Sequence, residues 1–494
     1  MSTAWEVQFT LERMAGKTLH SSLLEQLISD ITSGRLLPGS MLPGTRALAQ
    51  QLGINRKTVQ QVYEELEAQG WLETRSRSGT FVSQSLPEKG LTQSDAALVD
   101  TATSAKMPSQ LVEGLYHEAL SSFQNANSVN DGTPDSRLIP YELLARTYRR
   151  VCMGLKQGLE LGYGDPRGTH AFRRSVCTML KSDRFMNCDL DQLCIVRGSQ
   201  MGIYLTSKVL DPQAGAIVME ELSYLPAKAA FQSNGFEVID CRLDENGLDI
   251  DHLRDILGRQ PIAGIYLTPH HQYPTTVCLP MDRRLELLEL SRKFGFALIE
   301  DDYDHEFHYA ANPIPPLASL PNSENVVHIG SMSKVFSPGL RLGYVAASAP
   351  FIERIAQEII VIDRQGNTLG ELVLSDLMES GEVKRHIRKT RKLYKARRDF
   401  AVAEFRRVLG DQVSFTTPSG GLAIWVDISK LSHGLSSVEF GSRDLTLNTF
   451  YTSDETQPTH VRFGFGGINE QEITRAIEGL SEAIHRIGAQ ANKA

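Results

Sequence analysis

SMSKVFSPGLRLGY, residues 331–344, follows the short apolar run VVHIG and places a lysine among hydroxyl residues, with an arginine seven residues later. Ser331, Ser333, Lys334 and Arg341 would bring two hydroxyls, an amine and a guanidinium to one small pocket. Such a lysine can form a Schiff base beside a bound phosphate. A lone lysine after a strand is more often a surface charge, so this interpretation needs partners elsewhere in the chain.

A second strand end supplies such partners. In FALIEDDYDHEF, residues 296–307, Asp301 and Tyr303 stand where an apolar run ends, and ligand groups of open α/β sheets are displayed at strand ends. A buried carboxylate there can keep a pyridine nitrogen protonated, and a phenol two residues on can reach the 3′-oxygen of the ring. Asp302 should point the other way. An ion-pair or helix-cap network is the alternative explanation of this acidic cluster.

Three further segments carry candidate ligand groups. CIVRGSQMGIYLTSKVL predicts a strand, a glycine and a helix start, where Ser199, Gln200 and free backbone N–H groups can hold an anion. Tyr224 follows the run VMEE and can stack on an aromatic cofactor, although a packing role explains it equally well. Arg462, in THVRFGFGG, can bind a carboxylate through two bonds, although a surface arginine is the ordinary explanation.

Short runs rich in Val and Ile alternate with helix-length segments through most of the chain. The runs are AIVME, FEVIDC, IAGIYLT, FALIED, VVHIG and LGYVAAS, and MDRRLELLELSRKFG is a typical intervening segment. Near-continuous apolar strands alternating with helices predict an α/β fold, with a mostly parallel sheet covered on both faces.

The first eighty residues have a different pattern. Residues 19–33 place apolar side chains three and four positions apart, which predicts a helix closed by Gly34. Two shorter helices follow: Thr45 is the expected N-cap of Arg46–Leu52, Gly53 supplies the turn, and Asn55 caps a helix ending at Gly70. Val59, Val62, Tyr63 and Leu66 form the inward stripe of this last helix.

The outward face of that helix is polar and basic at its start, as in a recognition helix that meets base edges and phosphates. Two β-like runs then flank RSRSG, a basic wing suited to a phosphate backbone. The candidate DNA-binding residues are Thr45, Arg46, Asn55, Arg56, Lys57, Thr58, Gln60, Arg75, Arg77 and Gly79. A helical hairpin with solvated charges is the alternative for any one of them.

Composition limits the function classes. The 494 residues carry a net charge of −8, so contact with nucleic acid requires a local basic patch. Residues 84–107 are rich in Ser, Thr, Ala and Asp and predict a linker between domains at 12–83 and 108–490. The six cysteines form no CxxC pair, which argues against disulfides and structural zinc, and no metal ligands are expected. Without a signal peptide or long apolar run, we expect a cytoplasmic protein.

The motifs together resemble known families. LPGTRALAQQLGINRKTV, VYEELEAQGWL and SRSGTFV resemble the winged helix-turn-helix of GntR-type regulators. DGTPDSRLIP, LGYGDPRGTHAFR, EDDYDHEF, SMSKVFSPGLRLGY, PSGGLAIWV and VRFGFGG resemble fold type I aminotransferases, which have a smaller C-terminal α+β subdomain. Together the two parts resemble the MocR/GabR family of regulators that depend on pyridoxal 5′-phosphate (PLP).

The resemblance implies roles for the candidate residues. Lys334 would form the Schiff base with PLP, Asp301 would face the pyridine nitrogen, and Tyr303 would face the 3′-oxygen. Ser199, Gln200, Ser331, Ser333 and Arg341 would surround the phosphate. Arg462 would bind the carboxylate of an amino-acid effector. The resemblance also implies operator DNA as a partner and a homodimer, which we expect to be domain-swapped.

One segment departs from the aminotransferase pattern. The loop usually written NPTG reads TPHHQYPTTV here, with Tyr273 at the asparagine position and Thr276 at the glycine position. Loss of that asparagine removes one hydrogen bond to the cofactor oxygen and makes efficient transamination less assured than cofactor binding. The sequence therefore favours a ligand-responsive regulator, with a working aminotransferase or a sensor of free PLP as competing hypotheses.

Overall fold

The computed structural model describes residues 18–75, 79–87, 132–155, 161–309, 314–430, 441–442, 445–446, 448–450 and 459–491. The chain divides into two compact units, residues 1–111 and 112–494. Most of the predicted linker, residues 84–107, lies outside the described residues. None of the helices in the described part is long and apolar enough to cross a membrane.

The front unit is a small three-helix domain with a β-hairpin. Its elements are α1 (Leu19–Thr32), α2 (Thr45–Leu52), α3 (Arg56–Ala68), β1 (Leu72–Arg75) and β2 (Gly79–Val82). The predicted apolar stripe of α1 packs against the predicted inward stripe of α3, and Leu23, Leu27 and Val59 are among the buried residues of one continuous core. The antiparallel pairing of β1 with β2 confirms the predicted pair of wing strands.

The ends of α2 and α3 follow local chemistry, with one correction. Asn55 has extended backbone angles, and its side chain accepts a hydrogen bond from the Lys57 N–H, as an N-cap does. Gly53 adopts the left-handed conformation predicted for the turn. The prediction of Thr45 as an N-cap is wrong, because α2 begins at Thr45 and its cap is Gly44, which has no side chain to accept a bond.

The large unit is built on a mixed seven-stranded sheet. Its strands are β3 (Leu193–Val196), β4 (Ala216–Glu220), β5 (Val238–Cys241), β8 (Ile262–Leu267), β9 (Ala297–Asp302), β10 (Val326–Ser331) and β11 (Gly343–Ala346). They lie in the order β3-β11-β10-β9-β8-β4-β5, and β11 runs antiparallel to both neighbours while the other pairs are parallel. The predicted mostly parallel sheet is confirmed.

Helices cover both faces of this sheet. In chain order they are α4 (Tyr141–Gly154), α5 (His170–Arg184), α6 (Gly198–Val209), α7 (Leu225–Ser233), α8 (Ile250–Leu257), α9 (Met281–Phe294), α10 (Ala349–Ile362), α11 (Thr368–Glu379) and α12 (Glu382–Val408). One core contains side chains of α6, α7 and α10, and another contains those of α8 and α9. Because central strands such as β8 and β10 are buried along their whole length, they read as unbroken apolar runs.

The C-terminal part forms a smaller α+β subdomain, as expected from the resemblance. Strands β12 (Ala423–Asp427), β15 (Asn448–Phe450) and β16 (His460–Gly464) form a separate sheet in the order β12-β16-β15. Residues of α12 and of α13 (Glu470–Ala491) share a buried core with this sheet. Two short hairpins, β6 (Leu243–Asp244) with β7 (Gly247–Leu248) and β13 (Gly441–Ser442) with β14 (Leu445–Thr446), complete the described strands.

Candidate functional site

The candidate site lies at the carboxyl ends of the large sheet's strands. Strands β3, β4, β8, β9 and β10 run in one direction, so the loops that follow them gather at one edge. Gly198 follows β3, Asp301 lies near the end of β9, and Lys334 follows β10. The topology therefore brings together residues that are far apart in sequence.

Lys334 and Tyr303 lie in contact. The Lys334 ammonium nitrogen is 4.6 Å from the centroid of the Tyr303 ring. The Tyr303 hydroxyl donates to the carbonyl of His271 at 2.9 Å and also hydrogen-bonds Arg462. Burial raises the pKa of Tyr303, so the phenol keeps its proton and acts as a donor.

Asp301 is buried with only one of its two oxygens engaged. The Tyr266 hydroxyl donates to Oδ2 at 2.8 Å, whereas Oδ1 is buried without a hydrogen-bond partner among the described residues. Burial raises the pKa of Asp301 to about 7, against the opposing effects of the Tyr266 bond and the Lys334 charge. Asp302 points the other way, as predicted, and lies 3.1 Å from the Arg184 guanidinium.

The residues predicted to hold an anion lie after β3 and after β10. Helix α6 begins at Gly198, which has a φ of +77°, and a Cβ there would lie 3.0 Å from the Arg341 guanidinium. Arg341 donates to the carbonyl of Arg197 at 3.0 Å, and Ser331 Oγ accepts from the Ser333 N–H at 3.2 Å. Helix N–H groups beside a guanidinium and hydroxyls are suited to a phosphate group.

Gln200 lies in the first turn of α6, and Tyr224 immediately precedes α7. The Gln200 amide nitrogen donates to the carbonyl of Pro226 at 3.1 Å, and its Oε1 is buried without a hydrogen-bond partner in the described part of the chain. Tyr224 packs edge-on against Tyr273, with 5.6 Å between ring centroids. The tyrosine at the asparagine position thus lies beside the candidate stacking residue.

Arg462 projects from β16 of the small subdomain and is only 2% exposed. Its Nη1 donates to the carbonyl of Pro274 at 2.7 Å, and its guanidinium lies 4.8 Å from the Tyr273 ring centroid. Thr276, which replaces the pattern's glycine, adopts a φ of +64°. The divergent loop and Arg462 therefore meet at one place.

Three features of the site escaped sequence reasoning. Tyr266, in β8, reaches Asp301 on the neighbouring strand, and no local signal marks it. His271 Nδ1 lies 2.7 Å from a buried Asp304 oxygen, and Gln272 bonds Glu220 at 3.2 Å. The polar run HHQ next to an apolar strand was the available signal for the last two, since polar residues rarely follow a buried strand without partners.

Most of the candidate DNA-binding residues on α2 and α3 are exposed. Arg56, Lys57 and Gln60 are exposed on α3, Thr58 is half-buried, and Arg46 is exposed on α2. Thr45 Oγ1 accepts a bond of 3.4 Å from Arg56 Nε, which joins the two helix starts. Gln60 donates to Glu64 at 2.9 Å.

Of the predicted basic wing, the structure describes Arg75 at the end of β1 and Gly79 at the start of β2. Arg75 is exposed, with its guanidinium 4.8 Å from the Phe81 ring centroid and paired with Glu73. Gly79 has a φ of +111°, and a Cβ there would lie 2.9 Å from the Met41 side chain, so a larger residue is disfavoured. Arg77 lies outside the described residues.

Comparison with known proteins identifies both units. Residues 130–480 match the model of the aminotransferase class I and II family. The chain belongs to the aminotransferase class I and II family. Residues 19–82 match bacterial regulatory proteins of the gntR family, so this aminotransferase-family chain also carries a GntR-type helix-turn-helix.

Similar proteins combine the same two parts or share the larger one. An uncharacterized HTH-type transcriptional regulator, YisV of Bacillus subtilis, is 28% identical, with 97% of this chain and 99% of that protein covered. The probable rhizopine catabolism regulatory protein MocR of Rhizobium meliloti is 27% identical, with 84% of this chain and 82% of that protein covered. The structure of the α-aminoadipate aminotransferase LysN of Thermus thermophilus, solved with N-(5′-phosphopyridoxyl)-L-leucine, has a TM-score of 0.67 at 24% identity. The match covers 74% of this chain and 93% of that chain. The predicted fold and MocR-type resemblance are confirmed.

The aminotransferase class I and II family uses PLP, and the residues of this site fit that cofactor. Of the buried polar atoms that lack a hydrogen-bond partner among the described residues, three belong to the candidate cofactor residues: Asp301 Oδ1, Ser333 Oγ and Gln200 Oε1. Buried polar groups are nearly always hydrogen-bonded, so a polar ligand is the expected partner. A pyridinium nitrogen, a phosphate and a ring substituent match these donor and acceptor types.

Proposed function

We propose that this protein is a PLP-dependent transcriptional regulator that binds operator DNA and responds to PLP or to an amine or amino acid that reacts with it. One observation carries the proposal: the same chain holds a helix, α3, that starts with exposed Arg56 and Lys57, and a lysine, Lys334, whose charge acts on the buried Asp301 carboxyl group. A metabolic aminotransferase has no need of the first feature. Such a regulator acts on DNA inside the cell, so we also propose a cytoplasmic location.

PLP supplies an aldehyde that condenses with primary amines and a ring that withdraws electrons. Lys334 provides the amine, and Asp301 provides the carboxylate that holds a proton on the ring nitrogen. Tyr303 would donate its one hydroxyl proton to the 3′-oxygen in place of the His271 carbonyl, which accepts it in this structure. Tyr224, half-buried beside Tyr273, is the proposed stacking residue.

The proposed phosphate site uses the start of α6 and the segment after β10. Its members are Ser199, Gln200, Ser331, Ser333 and Arg341. The close approach of the Arg341 guanidinium to Gly198 supports this assignment, because it places a fixed positive charge at a helix N-terminus. The charge of the Arg341 guanidinium and the positive end of the α6 dipole both favour binding of a dianion.

Arg462 is the proposed ligand of an effector carboxylate. It is buried beside Tyr273 and Pro274, in a surrounding where a guanidinium forms strong charge-assisted bonds. The effector would therefore be an amino acid, with its amine toward Lys334 and its carboxylate toward Arg462. The Arg462–Tyr303 hydrogen bond supports this proximity.

The proposed DNA contacts are the exposed starts of α2 and α3 and the wing, residues Thr45, Arg46, Asn55, Arg56, Lys57, Thr58, Gln60, Arg75, Arg77 and Gly79. We further propose a homodimer, domain-swapped, whose two recognition helices read separated half-sites. The alternative is an active aminotransferase with an accessory DNA-binding domain. Lys334, Asp301 and Tyr303 are compatible with it, because the first step of Schiff-base chemistry is the same.

The deciding experiment is a titration of the protein with duplex DNA from upstream of its own gene and its divergent neighbour. It is performed at one fixed salt concentration, with and without PLP and a panel of amino acids, against random DNA of equal length. Saturable binding that outcompetes random DNA and shifts with PLP or an amino acid supports the regulator. Weak binding that is indifferent to PLP, with turnover near 1 s⁻¹ or more on an amino donor and keto acceptor, roughly an ordinary enzyme rate, supports the aminotransferase.

A further inference from the structure

We propose that His270, Asp302 and His305 form a buried binding site for one divalent transition-metal ion of the zinc type. His270 follows β8, Asp302 ends β9, and His305 lies in the loop that follows β9. One ligand atom from each residue lies within 4.8 Å of the others, and all three residues are buried. Two imidazoles with one carboxylate are a donor set that Zn²⁺ prefers.

The two histidine rings already face one another. Their centroids are 4.4 Å apart with an angle of 38° between the ring planes, and His305 Nδ1 lies 3.3 Å from Asp302 Oδ2. Zinc–ligand bonds of about 2.0–2.1 Å place neighbouring ligand atoms about 3.3 Å apart in a tetrahedron. The three ligand atoms lie within 4.8 Å of one another, so side-chain movement of about 1.5 Å at the widest gap completes the site.

Two of the candidate ligand atoms lack partners. His270 Nδ1 and Asp302 Oδ1 are buried without a hydrogen-bond partner among the described residues. Leaving a polar atom buried and unsatisfied costs about 1–3 kcal/mol, so two at one place require an explanation. A bound cation satisfies both.

Neighbouring histidines are already engaged, which defines the ligand set. His271 Nδ1 lies 2.7 Å from Asp304, and His328 Nδ1 lies 2.9 Å from Glu300. Three protein ligands leave the fourth position to water.

The surrounding charge permits a dication. Carboxylates of Glu300, Asp304 and Glu306 join that of Asp302, against the guanidinium groups of Arg184 and Arg284. These four carboxyl groups outnumber the two guanidinium groups. Arg184 lies 3.1 Å from Asp302 Oδ2 and also bonds Glu306 and Tyr344, and His305 Nδ1 lies 3.3 Å from the same oxygen. The other oxygen, Oδ1, is buried without a hydrogen-bond partner among the described residues and can bind the ion.

The test measures bound zinc in full-length protein freed of its purification tag, after equilibration with micromolar Zn²⁺ and removal of excess metal. One zinc per chain is expected in the wild type, and a loss of at least fivefold is expected in His270→Ser and in His305→Ser. The matched control is His252→Ser, because His252 Nδ1 already accepts the Arg242 N–H at 3.0 Å. It should retain one zinc per chain.

Two further measurements keep the proposal open to refutation whether or not these variants fold. Wild-type protein loaded with Co²⁺ should show the visible absorption bands of a four-coordinate site. Lys334→Ala protein freed of PLP should still bind one zinc, which separates this site from metal chelated by the cofactor. Less than about 0.2 zinc per wild-type chain, zinc retained in both histidine variants, or zinc lost with PLP would overturn the proposal.

Discussion

Asp301 shows how one buried carboxyl group can be prepared for a cationic ligand. Tyr266 fixes the orientation of the carboxyl group through one oxygen, and the other oxygen has no hydrogen-bond partner in the described structure. Without a facing cation, burial favours the protonated form, which is why its pKa rises to about 7. A protonated ring nitrogen would reverse this preference and hold the carboxylate ionised.

The raised pKa of Asp301 predicts a pH-dependent stability of the cofactor-free protein. Its contribution is fully present below the unfolded pKa of 3.8 and is lost as the pH rises toward about 7, because only the folded state resists ionisation. Asp301→Asn should remove this loss. The free energy of unfolding of the wild type, relative to that of the variant, should therefore fall by more than about 1 kcal/mol between pH 5 and pH 8. Urea unfolding at both pH values measures the difference, and parallel pH profiles would contradict the assignment.

Lys334 carries the covalent chemistry in our proposal. Lys334→Ala should abolish the long-wavelength absorbance of PLP bound to a protein lysine while leaving the far-ultraviolet circular dichroism unchanged. Lys208→Ala, an exposed lysine of α6, is the matched control and should keep the band. A band that persists in Lys334→Ala would assign the Schiff base to another amine.

Sequence reasoning at the residue scale succeeded where function follows from position on a strand. Asp301 and Asp302 were predicted to point in opposite directions because side chains alternate along a strand. Tyr266 was not predicted, because its contact with Asp301 depends on strand register. His270 and His305 were missed for the same reason, since no spacing in the sequence brings two loops together.

Among the secondary-structure elements, α2 has a glycine at each end, Gly44 before it and Gly53 in the turn toward α3. Gly53 has a φ of +63° and open space around the position of a Cβ, whereas Gly44 has a φ of −60° and is equally open. The two glycines therefore differ in backbone conformation alone. Their substitution separates conformational strain from steric contact.

Gly53→Ala should destabilise the helix-turn-helix by about 1–2 kcal/mol, because alanine is strained in the left-handed region. Gly44→Ala should change stability by less than about 0.5 kcal/mol, as expected away from special backbone positions. Hydrogen exchange of the α2 and α3 amides in the full-length protein measures both effects. Equal protection in the two variants would show that the turn tolerates alanine.

The recognition helix makes a second element-scale prediction. Arg56→Ala should weaken operator binding by roughly 1–3 kcal/mol if the side chain contacts a base. If the side chain contacts phosphate, the slope of the logarithm of the binding constant against the logarithm of salt concentration (the salt slope) should fall by about one. Arg35→Ala is the matched control, because Arg35 is exposed and pairs with Asp30 outside the helix-turn-helix. If neither affinity nor salt slope changes in Arg56→Ala, the DNA-binding surface lies elsewhere.

Elements were easier to predict than their ends. AIVME and IAGIYL became β4 and β8 because whole-length burial leaves an unambiguous apolar run. Helix α2 began at Thr45, one residue before the expected position, because a backbone cap by Gly44 leaves no side-chain signature in the sequence. The reversed direction of β11 was also invisible, since periodicity does not encode strand direction.

At the scale of the whole molecule, the proposal requires coupling between the two units. Lys334→Ala should bind operator DNA with its basal affinity but lose the shift that PLP produces in the wild type. The reason is linkage: a ligand changes DNA affinity only by as much as its own binding differs between DNA-bound and free protein. The same DNA titration, with and without PLP, measures the change in operator affinity. If PLP changes the affinity of Lys334→Ala as much as that of the wild type, the response does not depend on Lys334.

The Arg462–Pro274 bond has a consequence for signal discrimination. The guanidinium proposed to recognise an effector already donates to a carbonyl of the protein itself at 2.7 Å. This bond uses one of the five N–H donors of the guanidinium and fixes its orientation, so an incoming carboxylate would meet the remaining donors from one direction. Only a ligand that also presents an amine to Lys334 would satisfy both ends of the site, and carboxylates without an amine would leave gene expression unchanged.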